Sequence, residues 1–438
     1  MKKLLFTTAL AAGFLCSCSS DDAPVAASQQ PSAAQEGLVP VELSVGSPVS
    51  VSKKGTGVVG GFEGTNAWAG QTLYLLMMQR SNSNGDNVWG YSQWSYLPTS
   101  ESSDHGLGTP EVTYINFADL EVKAPASGAS GAIDWSASQT PAQPKYYPTK
   151  GTHDFFAYRI DDAYVDADDV AEGSQKPALQ TSEDGNSKYI EFVIDGSQDL
   201  MVGRADNDAR EEGTNKPLGF SQATARNAVV PAISMKHLLT RFTFEVSGAG
   251  NNTLEGLSVT KIAVKSHTTG KMTVAYDLGA LAAEQTDLIA FDNAEDEEAM
   301  SKLELKQRNP DPESTANTPL VALTAIPLER TNDGEGNYTW TSYKAGESLM
   351  VEAGRETYDI YVTVKQRFKP DSPVYEGEIE KHYTLTIANA LNQPGGVTTA
   401  VAGTSYNVQI KVYGLEEIKV NATLTPWVDG GNVDAVEQ

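Results

Sequence analysis

A chain of 438 residues has room for two or three domains of ordinary size. Its 57 acidic residues against 32 basic ones leave a net charge of −25, which disfavours nucleic acid or an anionic membrane surface as a partner. With 40% apolar residues it is too hydrophobic to be a disordered chain.

The first residues place Lys2 and Lys3 before an apolar run from Leu4 to Leu15, the pattern of a secretory signal and too short for a comfortable bilayer span. The run ends in Leu15-Cys16-Ser17-Cys18, which resembles a bacterial lipobox with Cys18 as the lipid-bearing residue. Residues 1–17 are therefore expected to leave as a lipoprotein signal peptide, and a lipid on Cys18 to hold the precursor on the outer membrane. Cys16 leaves with the signal, so no internal disulfide is expected. Residues 18–38, rich in Ser, Ala, Gln and Pro, read as a flexible tether.

The first strand signal follows. Val39, Val41, Leu43 and Val45 alternate with Pro40, Glu42 and Ser44, a period of two with one apolar face. Lys53 and Lys54 come next, beside a Gly-rich stretch, and are the only basic residues between Lys3 and Gln79. An exposed loop there is open to a protease that cuts after a basic residue; two solvated lysines are the alternative. The string GTGVVG (Gly55 to Gly60) matches a dinucleotide fingerprint, but no helix opens after it to receive a phosphate.

From there the pattern is β throughout. Leu73 to Met78 is a continuous apolar run, suited to a strand buried on both faces. Strands are expected at Tyr189–Ile194, Arg241–Val246, Leu257–Val264, Tyr358–Val364 and around Tyr383, Leu385 and Ile387. Asn84-Gly85, Asp184-Gly185 and Asp333-Gly334 mark turns between strands. A short helix is expected over Leu281 to Ala290. Many short strands and little helical periodicity give an all-β chain of sandwiches. The polar stretch from Arg204 to Asn227 divides it into an N-terminal β-sandwich domain, residues 39–227, and a C-terminal one, residues 228–414.

Residues 415–438 form a C-terminal extension with a strand of its own. Tyr406, Val408, Ile410 and Val412 alternate along one strand; after Gly414, Ile418, Val420, Ala422 and Leu424 alternate along a second. That last strand either folds back on its own domain or serves as a donor strand that completes a neighbour's sheet.

No catalytic set is visible, and no enzyme activity or cofactor is expected. The histidines at 105, 153, 237, 267 and 382 lack metal-ligand spacing. The acidic clusters at 161–169 and 295–298 lack the spacing and glycine of a calcium loop. Trp89, Trp94 and Tyr96 offer either packing at a strand pair or a platform for sugar rings, which leaves a surface glycan-binding lipoprotein as a competing function.

Three further segments carry a resemblance. KYYPTKGTHDFFAYRI (Lys145 to Ile160), GSQDLMVG (Gly196 to Gly203) and MKHLLTRFTFEV (Met235 to Val246) are similar, in this order, to segments of the fimbrillins. The resemblance implies two transthyretin-like β-sandwich domains in tandem. It also implies a pilin exported as a lipoprotein, cut by a trypsin-like protease, and polymerised through strand exchange with copies of itself or related pilins into a cell-surface fimbrium that supports adhesion. On that reading Val39, Val41, Leu43 and Val45 are displaced by cleavage at Lys53 or Lys54, and Ile418, Val420, Ala422 and Leu424 form the donor strand. A stalk subunit is expected, with an anchor or a tip as alternatives within the family. The fimbrillin cleavage site favours Arg, where this chain has Lys.

Overall fold

The computed structural model describes residues 39–46, 68, 70–80, 90–91, 93–96, 113–116, 119–127, 130–135, 145–148, 151–160, 176–207, 218–250, 254, 256–278, 287–309, 320–332, 334–335, 338–367, 375–387, 398–414 and 418–425. The signal and tether residues, Cys18, Lys53, Lys54, Trp89 and the 161–169 cluster lie outside them. Among the described residues no helix is long and apolar enough to cross a membrane.

The protein is nearly all β. In chain order the strands of the first half are β1 (Ser44–Gly46), β2 (Thr72–Gln79), β3 (Gly90–Tyr91), β4 (Gln93–Tyr96), β5 (Thr113–Asn116), β6 (Leu120–Lys123), β7 (Ser130–Ala132), β8 (His153–Arg159), β9 (Gln180–Thr181), β10 (Ser187–Val193), β11 (Met201–Ala205) and β12 (Ala232–His237). The second half adds β13 (Thr240–Gly248), β14 (Leu257–Ser266), β15 (Thr269–Tyr276), β16 (Ile289–Phe291), β17 (Ser301–Glu304), β18 (Lys306–Gln307), β19 (Val321–Ala322), β20 (Ile326–Pro327), β21 (Arg330–Asn332), β22 (Tyr338–Trp340), β23 (Ser342–Val351), β24 (Thr357–Arg367), β25 (Tyr375–Thr386), β26 (Ser405–Val412) and β27 (Ile418–Thr425).

Among the described residues four sheets bound three apolar cores. The largest sheet runs β3-β2-β8-β11-β12-β1-β7, with β6 beside β2. Both of its faces are covered, which is why β2 reads as an unbroken apolar run. Leu73, Leu75 and Met77 face a first core that also holds Val45, Trp68, Phe155 and Ile233. Tyr74, Leu76 and Met78 face a second core, shared with the sheet β16-β15-β10-β9 through Ile190, Phe192, Met272 and Val274. A third core lies between β23-β13-β26-β27 and β17-β14-β24-β25 and is built from Phe242, Phe244, Ile262, Val264, Ile360, Val362, Val408 and Ile410.

Two expectations meet a different outcome or a different frame. Ile289 and Ala290, expected to end a helix, lie in β16, which pairs with β15 (Met272 opposite Ile289). The edge of β15 offers backbone partners there, and Phe291 adds an edge-on contact with Phe192 at 5.4 Å; residues 279–286 are outside the described set. The stretch 204–227 does not separate sheets: β11 and β12, on either side of it, are hydrogen-bonded neighbours (Gly203 opposite Met235). In the described part of that stretch lies the short helix α1 (Gln222–Arg226), started by a capping box between Ser221 and Thr224. The turn expected at Asp184-Gly185 joins β9 to β10, with Gly185 at φ 74°.

Candidate functional site

The sequence points to two strands, and the fold treats them differently. The N-terminal segment alternates as its sequence requires: Val39, Val41, Leu43 and Val45 are buried, while Glu42 is exposed. All four apolar side chains enter the first core. The segment is interior, not an edge. β1 runs parallel to β12, with Val45 opposite Ile233, and antiparallel to β7, with Val45 opposite Gly131. Before β1 the backbone is held as well. Val41 N donates to the Lys145 carbonyl at 2.6 Å, Tyr147 N to the Val39 carbonyl at 3.0 Å, Ile133 N to the Leu43 carbonyl at 3.0 Å, and Ser44 N to the Pro231 carbonyl at 3.0 Å.

The walls that hold this segment are built from the first fimbrillin-like motif. Tyr147 packs edge-on against Phe155 at 5.9 Å, and Phe155 packs on Phe220 at 5.8 Å. Gln222 Nε2, in α1, donates to the Tyr147 carbonyl at 3.1 Å and braces the wall from outside. Lys145 is buried beside the segment, and burial brings its ammonium down to about 8. Burial, with the Glu42 carboxylate nearby, pushes the Tyr147 phenol up.

The C-terminal strand β27 is docked on its own chain. It pairs antiparallel with β26 over eight positions, and β26 in turn lies parallel to β13. Residues directly opposite in an antiparallel pair share a face. Val412, Ile410, Val408 and Tyr406, all buried, stand opposite Ile418, Val420, Ala422 and Leu424 in turn. Val420, opposite Ile410, packs partly buried against the third core. Among the described residues β27 nevertheless ends the sheet order, hydrogen-bonded along one edge only.

The three motif segments meet at a buried charged cluster that their sequence spacing does not announce. Arg159 on β8 and His237 on β12 both stand opposite Met201 on the intervening β11. Asp199, two residues before Met201, is fully buried between them: its Oδ1 lies 2.9 Å from His237 Nδ1 and its Oδ2 4.0 Å from Arg159. Arg241 approaches from β13 and donates from Nε to Ser348 Oγ at 3.2 Å. Burial alone would raise the Asp199 carboxyl, but His237, Arg159 and Arg241 outweigh it and hold it below the ordinary carboxylate range. His237 is thus a partnered structural histidine. Among the described residues no group of His, Cys, Asp and Glu is arranged to hold a metal ion. The aromatic reading at Trp94 and Tyr96 places them on β4, paired with β5, away from the two strands above in chain order.

A family profile described as fimbrillin-like matches residues 108–427 of the chain. Among solved structures it is similar to a candidate cell adhesion protein from Bacteroides uniformis, at 14% identity and a TM-score of 0.39 over 90% of this chain and 100% of that one. A candidate cell adhesion protein from Bacteroides ovatus gives 12% identity and a TM-score of 0.36 over 90% and 99%. The fimbrial anchor protein Mfa2 from Porphyromonas gingivalis gives 10% and 0.27 over 88% and 99%. No curated protein matches it in sequence.

Proposed function

We propose that this chain, which belongs to the fimbrillin-like family, is a structural stalk subunit of an adhesive fimbrium. It is exported as a lipoprotein bound through Cys18, cut after Lys53 or Lys54 by a trypsin-like protease, and polymerised by strand exchange. Its role is non-enzymatic.

One observation carries the reading. The segment 39–46 precedes the basic pair and fills an interior position between β12 and β7. Losing it would open a groove with hydrogen-bonding edges on both flanks and an apolar floor. The last strand has the matching alternation and, among the described residues, is bonded at home along one edge only. Moving into a neighbour's groove would give it backbone partners on two sides and the burial that Val39, Val41, Leu43 and Val45 had. The exchange is then downhill for the donor as well as the acceptor.

Val420→Asp tests it. Val420 lies opposite Ile410, so the new carboxylate would be aimed at the apolar floor of the acceptor with no partner. The variant, and a chain ending at Leu415, should fold, mature and remain monomeric by electron microscopy and size-exclusion chromatography. A truncated precursor that unfolds before any cleavage would instead assign β27 to its own domain.

A further inference from the structure

We propose that the seat of segment 39–46 is built to give the segment up. Its release element is the Tyr147 hydroxyl, sealed without a hydrogen-bond partner while the segment is in place and wetted when it leaves. The inference rests on the displacement proposed above for its purpose only; release of the segment can be read in the uncut chain, whether or not a donor strand follows.

A contrast among buried tyrosines carries it. Four tyrosines among the described residues are all but closed to solvent: Tyr147, Tyr158, Tyr358 and Tyr406. Tyr158 donates its hydroxyl proton to Asp119. Tyr358 donates to the Glu352 carbonyl at 2.6 Å, and the Tyr406 hydroxyl accepts from Val401 N at 3.2 Å. The Tyr147 hydroxyl, equally buried, has no hydrogen-bond partner among the described residues. The same core holds a second such group, Trp68 Nε1. Sealing a polar group in this way opposes the closed state, because the water it gives up is not replaced.

The segment is what closes over the hydroxyl. Tyr147 N donates to the Val39 carbonyl at 3.0 Å, and Val39 and Val41 share the first core with the Tyr147 ring. Burial raises the phenol pKa, and the Glu42 carboxylate, on the segment, raises it further. The remaining neighbours belong to the wall: Phe155 lies edge-on at 5.9 Å, and Gln222 holds the Tyr147 carbonyl. These stay when the segment goes. Departure takes Val39, Val41 and Glu42 away together, and the hydroxyl gains water. The apolar side chains of the segment still hold it in place, so the hydroxyl does not expel it; it lowers the cost of leaving. A strand seated firmly enough for export and loosely enough for exchange needs both effects.

The experiment is amide hydrogen exchange on the full chain, parent and Tyr147→Phe. Four amides report on the segment: those of Val41 and Ser44 donate from it, and those of Tyr147 and Ile133 donate to it. In the parent they should exchange faster than the amides that join β2 to β8, the mark of an opening separate from unfolding. Removing the one oxygen should slow the four by about tenfold, or about 1.4 kcal/mol, within the range for a buried hydroxyl without a partner. Thermal unfolding gives a second reading. Tyr147→Phe should unfold no lower than the parent, whereas Tyr358→Phe, which deletes a hydroxyl that has a partner, should unfold lower. The proposal fails if the four amides exchange unchanged or faster in Tyr147→Phe. It fails equally if they exchange no faster than those of β2 in the parent, or if Tyr147→Phe is destabilised as Tyr358→Phe is.

Discussion

A chain that begins at Gly55 would test whether the first strand is as structural as its burial indicates. It lacks four side chains that enter the first core, Val39, Val41, Leu43 and Val45. At roughly 1.5–3 kcal/mol each, their burial contributes about 6–12 kcal/mol. A domain is stable by about 5–15 kcal/mol, so the loss approaches the whole margin. At about 2–4 °C for each kcal/mol, the midpoint should fall by at least about 12 °C. The third core contains none of these residues and should keep its own transition. Scanning calorimetry should therefore show one transition lowered or lost beside one unchanged. A peptide of residues 39–46 should restore the lost transition, and a peptide of residues 418–425 should do so as well if the groove accepts a donor. A shortened chain that melts as the parent does would refute the structural role of the segment. Rescue by the first peptide but not the second would refute its exchange.

Three further outcomes follow from the same structure. Asp199→Asn should destabilise the protein by about 3–5 kcal/mol in denaturant titration, because it leaves Arg159 and His237 buried without their carboxylate. The folded Asp199 carboxyl sits below its unfolded value, so its contribution is present in full above the ordinary carboxylate range. It is lost as pH falls through the lower, folded value, and the variant should lack that acid-side loss. Cys18→Ala should abolish palmitate labelling and membrane retention of the precursor. Replacing Lys53 and Lys54 with Gln should leave a longer, lipid-bound monomer; N-terminal sequencing of native polymer that begins upstream of Lys53 would contradict the processing reading.

Local pattern predicted local structure well here, and distance along the chain set the limit. The alternation of Val39 to Val45 and of Tyr406 to Val412 gives their inward faces, and the unbroken Leu73–Met78 run gives a strand with a core on either side. Each of these follows from which side chains water must leave. Pairing does not. Nothing in residues 44–46 specifies parallel contact with Ala232–Ser234, because that partner is chosen by global packing, not by periodicity. For the same reason nothing in the polar stretch between β11 and β12 announces that the two strands pair across it. Ile289 reads as helical until the open edge of β15 is known. The Arg159–Asp199–His237 cluster was present in the sequence as three short motifs; only the register of β8, β11 and β12 brings them into one row.

The way the chain passes between the second and third cores bears on how a filament made of it would carry load. It crosses at Leu238–Leu239, between β12 and β13; again at His267–Thr268, between β14 and β15; and again at residues 292–300, between β16 and β17. The first two crossings are two residues long. Leu238, Leu239 and His267 are buried, and His267 is pinned by Glu352 at 2.7 Å and by the Asp296 carbonyl at 3.1 Å. A single linker would act as a hinge about which the halves could swing. Three attachments at separate points leave no common axis, so bending any one of them strains the other two. Tension or shear from surface flow would then pass through the subunit as through a strut, and the compliance of the filament would reside at the joints between subunits.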